Sequence, residues 1–114
     1  MPMNKACLFA SLSGALLLGA AAAHAADPPD NWIKNCAACH AKDGTGHTKA
    51  GRMVGVKDMT DSQYQQSFTD DQAAAQIKNG FKDASGNTKM KAFGDTLSDS
   101  EIKDLVAYIR SLKK

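Results

Sequence analysis

Residues 36–40 read Cys-Ala-Ala-Cys-His, and the interpretation of the chain starts from this stretch. Two cysteines three positions apart, followed at once by a histidine, form the pattern for covalent attachment of a c-type haem. On a helical turn, the two thiols reach the vinyl groups on one edge of a porphyrin, and each forms a thioether. The histidine then lies under the iron, which neutral imidazole binds well. We therefore predict one covalent haem c, held by Cys36, Cys39 and His40.

The same residues are open to three other interpretations. Cys36 and Cys39 could form a thioredoxin-like redox pair, join His47 in a zinc site, or serve as structural thiols. The redox interpretation lacks the βαβ context that such pairs usually have. The zinc interpretation lacks a convincing second pair of ligands. A disulfide across so short a loop would constrain the unfolded chain little.

The beginning of the chain has the pattern of a secretory signal. Lys5 precedes an uncharged run over residues 6–23, and the run ends in the small-residue sequence Ala-His-Ala at 23–25. This predicts a cleaved signal peptide over residues 1–25, a single domain over residues 26–114, and a periplasmic location. An uncleaved anchor is the alternative, because the apolar run approaches the length that spans a membrane. After cleavage we expect no membrane span.

Composition places the remainder among small soluble domains. The 114 residues are 23% charged and 43% hydrophobic, and the formal net charge is +2. These values suit one globular domain, which we expect to be a monomer, and they imply no nucleic-acid partner. A domain this small buries a limited core, so a staple, metal or cofactor is usually needed.

Local signals predict helices and no strand. We expect a first helix from Asp30, whose carboxylate would cap it, into Cys36. The glycine-rich residues 44–55 are interpreted as a loop, and residues 80–98 as an irregular segment. Three capping boxes predict later helix starts, with Gly80 ending the second of these helices: Thr60 with Gln63, Thr69 with Gln72, and Ser98 with Glu101. The predicted fold class is all-α.

The last helix carries the clearest apolar periodicity. Leu97 and Ile102 occupy the two positions of a hydrophobic staple around its start. Its apolar side chains recur at a helical period: Ile102, Leu105, Val106, Ile109 and Leu112, with Tyr108 beside them. This stripe predicts that the helix packs on the core.

A second axial ligand for the iron must come from outside residues 36–40. The candidates after signal removal are Met53, Met59, Met90, His47 and the lysines. We predict Met90, because it lies in a non-helical segment fifty positions after His40, with Phe93 nearby to exclude solvent. Met53 and Met59 follow the haem motif closely and are expected to pack instead. Histidine and methionine together form an electron-transfer ligand set.

Taken together, these motifs make the chain from about Asp30 to Leu112 resemble a bacterial class I cytochrome c. The resemblance rests on residues 36–40, Gly44-Thr-Gly46, Met90 followed by Phe93, and the Leu97–Leu112 segment with Tyr108. It implies three to five helices around one haem, with the first and last helices crossing. It also implies that Trp32 or Ile33 packs against Leu105 and Tyr108.

Two positions depart from the family pattern. Family members often have a proline after a glycine in the loop that follows the haem motif, and its carbonyl orients the haem histidine. Here the matching place holds Gly51-Arg52. Many also have a proline directly after the ligand methionine, where this chain has Lys91. The carbonyl that accepts the His40 N–H is therefore left open.

Function follows from whether the sixth position of the iron is filled. A saturated iron suits a one-electron carrier between respiratory or dehydrogenase partners, whereas a peroxidase or sensor needs a labile position. Met90 favours the carrier. We expect no enzymatic activity, because the acidic pair Asp70 and Asp71 suggests a helix start, and His47 suggests a solvated loop.

A subunit that donates electrons to one fixed enzyme is a third possibility. Partners with acidic docking surfaces are expected if a set of lysines rings the haem edge: Lys42, Lys49, Lys82, Lys89 and Lys91.

Overall fold

A computed structural model describes residues 14–16, 19 and 26–114 of the chain. Most of the predicted signal peptide, residues 1–25, lies outside the described residues, so its cleavage stays a prediction. Within the described residues there are six helices and one β-hairpin: α1 Pro28–Asn35, α2 Ala37–His40, α3 Lys49–Val54, α4 Ser62–Gln65, α5 Asp70–Asn79, β1 Phe81–Lys82, β2 Thr88–Met90 and α6 Asp99–Ser111. None of these helices is long and apolar enough to cross a membrane. The mainly helical fold class is confirmed.

α1 begins two residues before the predicted start. Pro28 and Pro29 occupy its first turn, where the missing proline N–H costs nothing because that group has no partner within the helix. Asp30 therefore lies inside the first turn and does not cap the helix. α1 ends at Asn35, and Cys36 separates it from α2, which His40 closes.

Two predictions about the middle of the chain were wrong. The glycine-rich residues 44–55 contain α3, which starts where the Thr48 side chain accepts a hydrogen bond from the Gly51 N–H. Asp61, and not Thr60, caps α4, because its carboxylate accepts from two backbone N–H groups of the first turn. The Thr60 hydroxyl instead donates to Asp58 at 2.6 Å. The Thr60 N–H also donates to Asp58, so Thr60 is held in that turn and Asp61 is left to cap the helix.

The predicted caps of α5 and α6 are confirmed. Thr69 with Gln72, and Ser98 with Glu101, form complete capping boxes. Gly80 ends α5 with φ of 78°, a conformation that suits glycine. The segment after it was not predicted correctly, since residues 81–90 form a short antiparallel hairpin in which Phe81 pairs with Met90.

The core lies where α6 contacts α1 and α5. Trp32 and Leu105 are fully buried, and the rings of Trp32 and Tyr108 lie 5.7 Å apart. Trp32 is therefore the first-helix residue that meets the last helix, whereas Ile33 is 49% exposed. The buried apolar residues form one cluster: Trp32, Ile77, Phe93, Leu97, Ile102, Leu105, Val106 and Ile109.

Candidate haem site

The two cysteines of the motif are half-buried and unbridged within the described part of the chain. Burial raises the pKa of the Cys36 thiol to about 11, so this group is protonated at neutral pH. Thioredoxin-like pairs work in the opposite way, with a lowered thiol pKa that supplies a reactive thiolate. The environment of Cys36 therefore does not favour the redox-pair interpretation.

The zinc interpretation also finds no support. Over residues 26–114, no group of three histidine, cysteine, aspartate or glutamate side chains comes together as a metal cluster. His47 is exposed on the loop before α3, and its backbone N–H donates to the Thr45 hydroxyl. The set of Cys36, Cys39 and His47 is thus not assembled.

The His40 imidazole is suited to bind iron. Burial lowers its pKa, which favours the neutral form that acts as a metal ligand. Its Nδ1 atom is buried and has no hydrogen-bond partner among the described residues. A metal-bound histidine usually donates its other ring N–H to a carbonyl, carboxylate or water, so Nδ1 is the atom whose acceptor the sequence left open, and no described residue supplies that acceptor. The imidazole and the two thiols together fit a covalently attached haem.

Trp32 holds the backbone that follows the histidine. Its indole Nε1 donates to the Ala41 carbonyl at 3.0 Å, and its ring centroid lies 5.6 Å from that of His40. Ala41 has φ of 65°, which is unusual for a residue other than glycine. The Gly46 N–H donates to the His40 carbonyl at 2.8 Å. The hydrogen bonds to the Ala41 and His40 carbonyls restrict where the imidazole can lie.

α3 is fastened to the other side of the motif. The Thr48 hydroxyl donates to the Cys39 carbonyl at 2.8 Å, and a Cβ on Gly51 would clash with that same carbonyl. The Gly51 carbonyl, at the place where the family has its orienting loop, accepts the N–H groups of Gly55 and Val56. It is therefore already engaged within the backbone of α3 and the following turn.

A mainly apolar cleft opens beside the motif. It consists of an inner cavity of about 680 Å³ and an outer cavity of about 1410 Å³, both including open solvent at their mouths. Trp32, Phe68, Ile77, Leu105 and Ile109 line the inner cavity. The two cavities adjoin one another, because they share six lining residues: Cys36, His40, Met59, Tyr64, Gln76 and Met90. This space can hold a large flat apolar group against the motif.

The three candidate methionines have different surroundings. Met90 is half-buried at the end of β2 and lines both cavities. Met59 also lines both, although its backbone is fixed by hydrogen bonds to Gly44 and Gln65. Met53 is 75% exposed, so the expectation that it packs was wrong. It points away from the core because it lies on the solvent side of the short helix α3.

Sequence comparison assigns the chain to a family. The cytochrome c family model matches residues 21–113, so the chain belongs to the cytochrome c family. No curated protein gives a significant match. Among solved structures, the KustC0563 c-type cytochrome is 28% identical with a TM-score of 0.67, covering 78% of this chain and 100% of its own. A tyrosine-to-phenylalanine mutant of Kustc0563 matches at 27% identity and TM-score 0.65, covering 77% and 100%.

These matches establish the class of protein and its cofactor. The chain is a c-type cytochrome of class I with covalently bound haem c, and its biochemical role is haem-based electron transfer. Sequence reasoning singled out Cys36, Cys39, His40 and Met90, and all four line the cleft. It did not predict that Gln76 lines the cleft, or that Met59 lines it as well. Neither has a sequence signal of its own, since glutamine and methionine at helical or loop positions are common surface and packing residues.

Proposed function

We propose that this cytochrome is a periplasmic one-electron carrier whose haem iron is bound by His40 and Met90. The observation that carries the proposal is that these two side chains, from α2 and β2, line the same two cavities as Cys36. Two ligands from separate elements would fill both axial positions and leave none for a substrate. The apolar run at the start of the chain supports export to the periplasm.

The chemistry that haem c would supply in this site is the uptake and release of one electron. The protein would contribute position and environment: Cys36 and Cys39 would tether the group, and His40 and Met90 would supply its two further iron ligands. The apolar walls keep water away, with Phe93 buried at 4% exposure where it lines the outer cavity. Little rearrangement is then needed when the charge changes, which favours rapid electron transfer.

The proposed partners are redox proteins with acidic docking surfaces. Lys89 and Lys91 line the outer cavity, as do Lys34 and Lys57, which the sequence did not single out. Lys42, Lys49 and Lys82 are not among its lining residues. Four ammonium groups around one opening give this face a positive field, although Lys89 lies 3.6 Å from Asp83, which offsets part of its charge.

Redox titration of the purified holo-protein with optical detection tests the carrier proposal. We expect a single one-electron transition, low-spin iron in both states, and no ready binding of carbon monoxide by the reduced protein, because both axial positions are filled. High-spin iron together with rapid carbon monoxide binding would instead indicate a labile sixth position. That result would favour a peroxidase or sensor and would contradict the proposal.

A further inference from the structure

Gln76 makes a contact that the haem ligands alone do not explain. It lies on the last full turn of α5 and lines both cavities of the cleft. Its side-chain amide Nε2 donates to the Met90 Sδ atom, with the two atoms 4.0 Å apart. A thioether sulfur is a weak acceptor, and among the described residues the Gln76 amide is the side-chain donor that reaches it.

The end of α5 is bound to the Met90 segment by its backbone. The Phe93 N–H donates to the Ile77 carbonyl at 2.9 Å, and the Gly94 N–H donates to the Lys78 carbonyl at 3.0 Å. These bonds join the segment three residues after Met90 to the turn that carries Gln76. The amide and the sulfur are thus brought together by main-chain contacts that do not depend on their own interaction.

Gly80 tightens the same junction. A Cβ at this position would lie 2.6 Å from the Met90 carbonyl oxygen, so only glycine permits the backbone of β2 to approach so closely. Phe81, the next residue, pairs with Met90 across the hairpin. The register of the hairpin therefore sets the distance between Met90 and α5.

We propose that Gln76 is a positioning residue that acts through Met90 by donating a hydrogen bond to its sulfur. The inference rests on the proposed axial role of Met90 and deepens it. An N–H donor draws electron density from the sulfur lone pairs and makes the thioether a weaker donor to iron. Contacts of this outer kind tune a metal by adjusting its ligands. A weaker donor favours ferrous over ferric iron, so Gln76 raises the reduction potential.

Substitution Gln76→Leu in the holo-protein removes the donor and keeps a side chain of similar length on an exposed helical position. We expect the reduction potential to fall while the iron remains low-spin and bound by Met90. The methyl resonance of Met90 in the proton spectrum of the oxidised protein should also shift, because its sulfur has lost a partner. Gln76→Ala, which suits a helix even better, should lower the potential in the same direction.

Gln63→Leu is the matched control. Gln63 lies on α4, is exposed, and is not among the residues that line either cavity of the cleft. The same exchange of side chains at this position should leave the potential and the Met90 methyl resonance unchanged.

The possible results separate this inference from the proposed function. A fall in potential with both Gln76 variants and not with Gln63→Leu supports it. Unchanged potential in Gln76→Leu and Gln76→Ala, or an equal fall in Gln63→Leu, would overturn it while the axial role of Met90 stands. If Met90→Ala leaves the haem spectrum unaltered, the axial role itself is wrong, and this inference fails with it.

Discussion

The thiol of Cys36 and the imidazole of His40 are both held in their neutral forms by burial. Burial raises the pKa of the first group and lowers that of the second, since each charged form would lose hydration. Neutral imidazole is the form that binds iron, and a protonated thiol is protected from oxidation until it reacts. The site is therefore poised for haem attachment and not for thiol redox chemistry.

Alanine at Cys36 or at Cys39 should remove most of the holo-protein. Each change deletes one thioether, and a small core loses the stabilisation that comes from its bound cofactor. The measurement is the haem that stays with denatured protein in acid–organic solvent. Ala38→Ser, at an exposed position between the cysteines, is the control and should retain all of it. Release of free haem from the wild-type protein would contradict covalent attachment.

Residues 36–40 could be predicted because their pattern is local and specific. Met90 was predicted from its distance along the chain and from Phe93, but the hairpin that presents it was not. The strands of two and three residues are too short to show alternation. Met59 was expected only to pack, yet it also lines the cleft, because Gln65 of α4 binds its carbonyl and turns the preceding loop inward.

Among the helices, prediction succeeded where a capping box is complete. The boxes of Thr69 and Ser98 were predicted correctly, although an aspartate follows each of them. Thr60 was wrong because Asp58 accepts both its hydroxyl and its N–H, and Asp61 caps α4 instead. The start of α1 was wrong because the proline pair prefers the first turn to a position before it.

Glu101 connects the cap of α6 to α1. Its carboxylate accepts from the Asn31 side chain at 2.9 Å and from the Ser98 N–H at 3.1 Å. These hydrogen bonds, first from Asn31 and then from Ser98, lower the pKa of Glu101. The pKa of Glu101 is lower in the folded protein than in the unfolded chain. Its contribution to stability is therefore fully present above the pKa of the unfolded chain, and it is lost as the pH falls through the pKa of the folded protein.

We therefore expect Glu101→Ala to reduce the free energy of unfolding near neutral pH and to differ less from wild type at about pH 3. Denaturant unfolding of the holo-proteins at both pH values is the measurement. Asp99→Ala is the control, because Asp99 pairs with Lys78 on the surface with its side chain 82% exposed. Exposed ion pairs of this kind contribute little to the free energy of unfolding. If Glu101→Ala lowers the free energy of unfolding by the same amount at both pH values, the charge-based account is contradicted.

Across the molecule, net charge says little about partners and its distribution says more. The formal charge is only +2, yet Lys34, Lys57, Lys89 and Lys91 all line the outer cavity. Lys91 also lies over the Phe93 ring, with its Nζ 5.1 Å from the centroid. The face that exposes the cleft thus carries four lysines, whose positive field acts at its opening.

Reaction of the reduced protein with two small oxidants should reveal this field. Anionic ferricyanide should react more slowly with Lys91→Glu than with wild type, by up to about tenfold at low salt, and the difference should shrink as salt screens it. A cationic cobalt(III) tris(phenanthroline) complex should show the opposite change. Lys49→Glu, whose lysine does not line the cleft, should change both rates little. Equal effects at Lys49 and Lys91 would contradict a local patch.

The axial role of Met90 is the central claim, and its substitution by alanine tests it most directly. Met90→Ala and Met59→Ala holo-proteins should be compared in optical spectrum, reduction potential and carbon monoxide binding. We expect Met90→Ala to lose the wild-type low-spin spectrum, to have a lower potential, and to bind carbon monoxide readily. Met59→Ala, which alters the same cleft, should keep the wild-type spectrum and lose only packing stability. A wild-type spectrum and potential in Met90→Ala would show that the sixth ligand lies elsewhere.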